Sequence, residues 1–195
     1  MQLKGKTAII TGGGSGFGAS MADLFAKNGA KVIVADIDLD SARKVAEGTG
    51  GYPLEVDVSN AKSVEQMKID IFKEHEKVDI VVNNAGTTHL PAPMETIEED
   101  EFDRVFNVNC KSVYLTARHF VPHFKENKSG VILNIASTAG VSPRPNLNWY
   151  NSSKGWMILA SKTMAVELAP FGIRVNVINP VAGETPLLKS FLGED

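Results

Sequence analysis

The chain has a single cysteine, Cys110, among its 195 residues. That excludes an internal disulfide framework and any cysteine-rich zinc site. It has no basic excess either, since 20 Lys and Arg stand against 23 Asp and Glu, for a net charge of −3. Overall charge therefore cannot drive the counterion release on which phosphate-backbone binding depends, and nucleic acid is not an expected partner. No run approaches the roughly 18 apolar residues of a membrane span, so no membrane partner is expected. The N-terminal MQLKGKTAIITGGG lacks the apolar stretch of a secretory signal, which makes the cytoplasm the default address. The Asn-x-Ser triplets at Asn127 and Asn151 then read as coincidence, because glycosylation requires secretion. Repeats, low-complexity tracts and flexible linkers are also absent. What is left is 43% hydrophobic and 22% charged, which fits one globular domain over 1–195.

Short Val- and Ile-rich runs at 7–11, 31–36, 53–57, 79–83, 131–136 and 174–179 show little polar alternation. Strands buried on both faces have that composition. Amphipathic stretches between them predict helices over 15–28, 39–47, 61–77, 98–125 and 150–170. Asp38 and Asn60 are expected N-caps, and Gly29 and Gly172 expected stops. Parallel strands need long crossovers, so this alternation predicts an α/β doubly wound parallel sheet with helices on both faces. Ligands of such sheets bind at the carboxyl ends of the strands, where the strand order reverses.

The segment Thr11-Gly12-Gly13-Gly14-Ser15-Gly16-Phe17-Gly18 joins the first strand to the first helix. Glycines let a backbone approach a ligand, and a helix start offers free N–H groups to a diphosphate. No Gly-Lys-Ser/Thr follows, which disfavours a triphosphate loop. Asp36, followed by Ile37, ends the second strand 18 residues after Gly18. A carboxylate there can accept from an adenosine ribose and would repel a 2′-phosphate, which favours NAD over NADP. Asp38 is the alternative carboxylate for that role.

Tyr150 and Lys154 are four residues apart, so on a helix they share a face. An unperturbed phenol, with a pKa near ~10, is a poor base, and a neighbouring ammonium would lower that value. Tyr114 and Arg118 have the same interval, which reads as helix packing and a solvated charge. What separates Tyr150 is Ser137, thirteen residues earlier at the end of a predicted strand, whose hydroxyl could hold a substrate oxygen.

These residues resemble the short-chain dehydrogenase/reductase family. The matching motifs are Thr11-Gly12-x-x-x-Gly16-x-Gly18, Asp57, Asn83-Asn84-Ala85-Gly86, Asn109, Ser137 and Tyr150-x-x-x-Lys154, in the family's order. The resemblance implies a Rossmann-type fold and reversible hydride transfer between a nicotinamide and an alcohol or carbonyl. It implies Tyr150 as general acid/base, with Lys154 lowering its pKa and holding the nicotinamide ribose. Ser137 would polarise the substrate oxygen and Asn109 support a proton-relay water. Asp57 and Val58 would contact adenine, and Asn84, Ala85 and Gly86 would wall the adenosine ribose. Pro180, Val181 and Thr185 correspond to the segment beside the nicotinamide carboxamide, with Val181 where relatives often have glycine. No metal is implied, since His75, His89, His119 and His123 have no ligand spacing. Cys110 is expected to pack rather than react.

Relatives continue through a seventh strand, so the sequence is expected to be truncated in the substrate lid at Asp195. The substrate-facing loops would be 87–96 and 138–149, with Thr87, His89, Pro143, Arg144, Asn146 and Trp149 as mixed surfaces. The resulting expectation is an NAD-dependent alcohol dehydrogenase or ketone reductase. One alternative is a 3-oxoacyl-(acyl-carrier-protein) reductase. Another, from a different class, is a non-catalytic dinucleotide-binding regulatory protein. The resemblance also implies a homodimer or homotetramer built on the helices that begin near Glu98 and Tyr150.

Overall fold

A computed structural model describes residues 2–192. The expectation about the chain's end at Asp195 lies outside the described residues. Six parallel strands form one sheet: β1 (Thr7–Thr11), β2 (Lys31–Asp36), β3 (Tyr52–Glu55), β4 (Ile80–Asn83), β5 (Gly130–Ile135) and β6 (Ile173–Ile178). Their order is β3-β2-β1-β4-β5-β6, so the direction of winding reverses between β1 and β4. The crossovers are α1 (Gly16–Lys27), α2 (Leu39–Thr49), α3 (Ala61–Glu74), the pair α4 (Glu99–Phe106) and α5 (Ser112–Asn127), and α6 (Asn148–Leu168). A short α7 (Pro186–Leu192) follows β6. The doubly wound sheet expected from the alternating pattern is therefore present. No helix among the described residues is long and apolar enough to cross a membrane.

The two-sided burial of the strands divides the core. Successive strand side chains point to opposite faces. Ile9, Ile33, Val81 and Ile132 join Met67, Ile71, Phe120 and Phe124 on the face of α3 and α5. Ala8, Ile10, Val32, Val34 and Val82 join Ala22, Ala42 and Ala46 on the face of α1 and α2. Small alanines on the second face let those helices sit close to the sheet. Asp79 pins the register just before β4. Its carboxylate accepts from Thr7 N–H at 3.1 Å and pairs with Lys6 and Lys77, each at 3.0 Å.

The caps act as expected. Asp38 accepts from the N–H groups of Asp40 and Ser41, and Asn60 from those of Lys62 and Ser63. Gly29 and Gly172 take positive φ, at 91° and 71°. Most element boundaries shift by a few residues, and two differences have an identifiable cause. Strand β3 ends at Glu55 rather than 57, because Asp57 turns to accept from both the N–H and the hydroxyl of Ser59. The single helix expected over 98–125 is interrupted by a π turn at Asn107–Lys111. Such a turn inserts one extra residue per winding, a feature hydrophobic periodicity cannot register.

A buried polar chain crosses the middle of the sheet. Thr116 donates to Asn83 Oδ1 at 2.8 Å, Asn83 Nδ2 to Asn134 Oδ1 at 2.7 Å, and Asn134 Nδ2 to Ser161 Oγ at 2.8 Å. It ties β4, β5, α5 and α6 together at one level. Asn134→Ala would leave the Asn83 amide as an unpaired buried donor, expected to cost about 1–3 kcal/mol. Urea denaturation checks this, and an unchanged midpoint and slope would show that the chain of amides contributes no net stability.

Candidate active site

The carboxyl ends of β1 and β4 open onto a cavity of about 710 Å³. That is the size range of ligand sites, at the place where doubly wound sheets bind them. The glycine loop forms its floor. Gly12 has φ +61°, and a Cβ there would stand 2.9 Å from Ala85 Cα. A Cβ on Gly18 would stand 2.0 Å from the Gly12 carbonyl oxygen, so only glycine lets the first turn of α1 close under the loop. Asn84 staples the loop from the β4 side, donating to the carbonyls of Thr11 at 2.9 Å and Gly12 at 3.0 Å. Thr11 Oγ1 accepts from the N–H groups of Asn84 and Ala85.

Asp36 lies at the far end of the cavity. One of its oxygens accepts from Gly14 N–H at 2.8 Å and the other from Asp38 N–H at 3.1 Å. Asp38, the alternative, is exposed and does not line the cavity. Its carboxylate caps α2, and hydrogen bonds from Ser41 hold its pKa below the usual range. Ile37, Asp57 and Val58 complete this end.

At the other end, α6 presents Tyr150 and Lys154 one turn apart, both buried. Ser137, just past β5, accepts from Ala139 N–H at 3.1 Å and lines the same cavity as the Tyr150 side chain. Lys154 Nζ donates to the Ile135 carbonyl at 2.9 Å and lies 5.8 Å from the Tyr150 ring centroid. Full burial pushes its pKa down to about 8. Burial raises the Tyr150 pKa, opposed by the nearby Ser137 hydroxyl and the charge of Arg144. The lowering expected from Lys154 is thus not what this arrangement expresses, since the ammonium is directed at a backbone carbonyl.

Of the site residues read from the sequence, Gly12, Ser15, Gly16, Phe17, Asp36 and Ile37 line this one cavity. So do Asp57, Val58, Asn84, Ala85 and Gly86 along its wall, and Ser137, Tyr150 and Lys154 at the end away from Asp36. Pro180, Val181 and Thr185 form its roof. Gly18 and Asn109 do not line it. Gly18 lies beneath the loop. Asn109, fully buried in the π turn, accepts from Thr87 N–H and donates to the Thr87 carbonyl and to Ser153 Oγ, each at 2.9 Å. Both its amide hydrogens are thus committed to holding the turn against the loop after β4. Of the loop residues, Thr87 and Arg144 reach the cavity. His89 is buried elsewhere, and Trp149 donates to the Met94 carbonyl.

Helix α7 was missed, although the run Pro186-Leu187-Leu188-Lys189-Ser190-Phe191 carries a helix-starting proline and spaced apolar residues. It brings Leu187, Leu188 and Phe191 over the cavity, and the Phe191 ring meets Tyr150 edge-on at 5.0 Å. Cys110 packs behind Lys154, its thiol pushed up to about 12 by burial. Among the described residues no group of three His, Cys, Asp or Glu side chains is placed to hold a metal.

Comparison with known proteins gives the family. The family profile described as short chain dehydrogenase matches residues 6–194. A 4-formylbenzenesulfonate dehydrogenase from Comamonas testosteroni is 44% identical over 198 residues, covering 99% of this chain and 79% of that protein. A 3-oxoacyl-(acyl-carrier-protein) reductase from Thermotoga maritima is 37% identical over 192 residues, covering 96% and 78%. Among solved structures, a 3-ketoacyl-(acyl-carrier-protein) reductase from Brucella melitensis complexed with NADH superposes with a TM-score of 0.96. It is 49% identical, and the match covers 97% of this chain and 81% of that one. The chain belongs to the short-chain dehydrogenase family and is an oxidoreductase.

Proposed function

We propose that this oxidoreductase transfers hydride between NAD(H) and an alcohol or carbonyl substrate, with Tyr150 exchanging the proton. The observation that carries the reading is the meeting of Tyr150, Ser137 and Lys154 at one end of a cavity whose other end holds the glycine loop and Asp36. A dinucleotide fits the residues present. The loop leaves room only for glycine at Gly12 and Gly18, and the N-terminus of α1 supplies free N–H groups for a diphosphate. A Cβ on Gly86 would come within 3.3 Å of Lys154 Nζ and 3.4 Å of Asn109 Oδ1, so glycine keeps that wall clear. The nicotinamide, when bound, supplies the hydride chemistry.

The chain's own residues supply position and proton transfer. Tyr150 takes the hydroxyl proton as an alcohol is oxidised and returns it in reduction. Ser137 is placed by the Ala139 N–H to steady the same oxygen. Lys154 holds a positive charge beside the cofactor's reacting end. Asn109 acts as a positioning residue, through Thr87 and Ser153. The Brucella reductase is the observation that keeps acyl thioester reduction as a second reading, because its complex is with NADH. A substrate panel containing both simple alcohols and an acyl thioester separates the two.

Tyr150→Phe is expected to lower kcat by at least ~100-fold, the scale of general acid/base catalysis. NADH affinity, followed by nucleotide fluorescence, should stay within about twofold. Unchanged turnover would place the proton donor elsewhere. The carboxylate of Asp36 is expected to make NADH bind more tightly than NADPH, and Asp36→Asn to narrow the gap by about tenfold, as the loss of one charge repulsion implies. Fluorescence titration with both nucleotides decides it, and equal affinities in the parent protein would remove Asp36 from this role.

Lys154 makes a prediction about stability. Its pKa of about 8 in the folded protein lies below the ~10.4 of an exposed lysine. At pH 7 both states carry the proton, and the folded state bears the full cost of burying it. Between those two values the unfolded chain binds more protons, so this contribution to stability improves as pH rises. Lys154→Met is therefore expected to lose turnover, to match or exceed the parent's stability at pH 7, and to lose that relative gain by about pH 10. Urea denaturation at both pH values measures it. A variant less stable at pH 7 would mean that the ammonium is a net stabiliser.

A further inference from the structure

The charges lining the cavity are segregated. Its two carboxylates, Asp36 and Asp57, are at the glycine-loop end, while Arg104, Arg144 and Lys154 are its cations. Two of these cations are committed. Lys154 donates to the Ile135 carbonyl. Arg104 is clamped by both oxygens of Glu101, at 3.1 and 2.9 Å, by the Thr88 carbonyl at 2.8 Å and by the Thr87 hydroxyl. Arg144 differs. Among the described residues it forms no ion pair, and only its backbone carbonyl is engaged, accepting from Asn151 Nδ2 at 2.8 Å.

A solitary exposed arginine is ordinarily just solvated. Three features separate this one. It lines the same cavity as Tyr150 and Ser137, and its charge acts on the Tyr150 phenol. Its backbone is held in place between Pro143 and Pro145, with the Asn151 bond on one side. On the other, Asn146 takes φ +62° and accepts from Ala92 N–H at 3.0 Å. Leu147, Leu188 and Phe191, which line the same cavity, are apolar and offer no competing partner. An unpaired guanidinium on a held backbone, in a cavity with apolar walls, recognises an anion on a hydrophobic body, by charge-assisted hydrogen bonds.

We propose that Arg144 binds an anionic group of the substrate, so that the alcohol or carbonyl compound turned over here has an apolar body carrying a carboxylate, sulfonate or phosphate. This rests on the reading of the cavity as an alcohol–carbonyl site and adds the class of molecule it takes. The dinucleotide's own phosphates are the competing source of negative charge, and they match the glycine loop instead.

The test uses 4-(hydroxymethyl)benzoate and its neutral counterpart 4-methylbenzyl alcohol, titrated calorimetrically into protein saturated with NADH. An alcohol with reduced cofactor cannot react, so binding is read apart from turnover. The parent protein is expected to prefer the carboxylated alcohol by about tenfold, the scale of one charge-assisted contact. Arg144→Gln should bring the ratio to about one, Arg144→Lys should restore part of it, and 0.5 M salt should narrow it in the parent. Equal affinities in the parent, no binding of the carboxylated alcohol, or a ratio that survives Arg144→Gln would overturn the proposal. So would an Arg144→Gln variant that loses NADH affinity while keeping the ratio. Oxidation of both alcohols with NAD is measured alongside. If neither is turned over but the Arg144-dependent ratio stands, the assigned reaction fails and the anion site does not. If both are oxidised at a ratio of one, the reverse holds.

Discussion

A single buried ammonium shapes the end of the cavity where Tyr150 and Ser137 meet. Lys154 is fully enclosed on α6, and nothing of opposite charge pairs with it among the described residues. Burying an unpaired charge is unfavourable, and the cost appears as a pKa drawn down to about 8. The Ile135 carbonyl, 2.9 Å from Nζ, offsets part of that cost. It can do so only because α6 is held against β5 at a fixed level, through the Asn134–Ser161 bond and the amide chain behind it. A sequence selected for stability alone would put a hydrophobic residue at this position. Under the proposed function, the lysine is a group retained for chemistry.

The same logic runs through the buried polar groups around it. Asn109, Ser153, Asn83 and Asn134 are all out of water, and each has a partner. An amide left unpaired there would be costly, so each of these bonds specifies where its neighbour must stand. The π turn belongs to this set. By adding one residue to the helix between β4 and β5, it delivers Asn109 to Thr87 on one side and Ser153 on the other. The loop after β4 and helix α6 are thereby fastened to each other, and Tyr150 is on that helix.

Much of the fold was legible because parallel, doubly covered strands impose a composition. Ile9-Ile10, Val32-Ile33-Val34 and Val81-Val82 are apolar on both faces, since each face meets its own layer of helices. Asp38 and Asn60 announced helix starts because a short acceptor side chain before an amphipathic stretch has few other uses. The candidate site was legible to a similar degree. Close backbone approach tolerates only glycine, and the interval from Tyr150 to Lys154 is one helical turn. What escaped was local in a different sense. The π turn depends on one residue's insertion, and Val56 continues pairing with Asp36 while Asp57 turns away toward Ser59. No hydrophobic period records either.

By itself, then, the sequence determined the alternation of elements, the two-sided sheet and the identity of the groups around the cleft, because periodicity, glycine spacing and capping are properties of short segments. Only the tertiary structure decided what each group is free to do. Asp36 faces the cavity while Asp38 is spent on a helix cap. Arg104 is neutralised by Glu101 while Arg144 is left unpaired, and the Lys154 charge goes to a carbonyl rather than to the phenol. Those distinctions rest on which polar atoms are already satisfied, and satisfaction depends on neighbours brought together from distant parts of the chain.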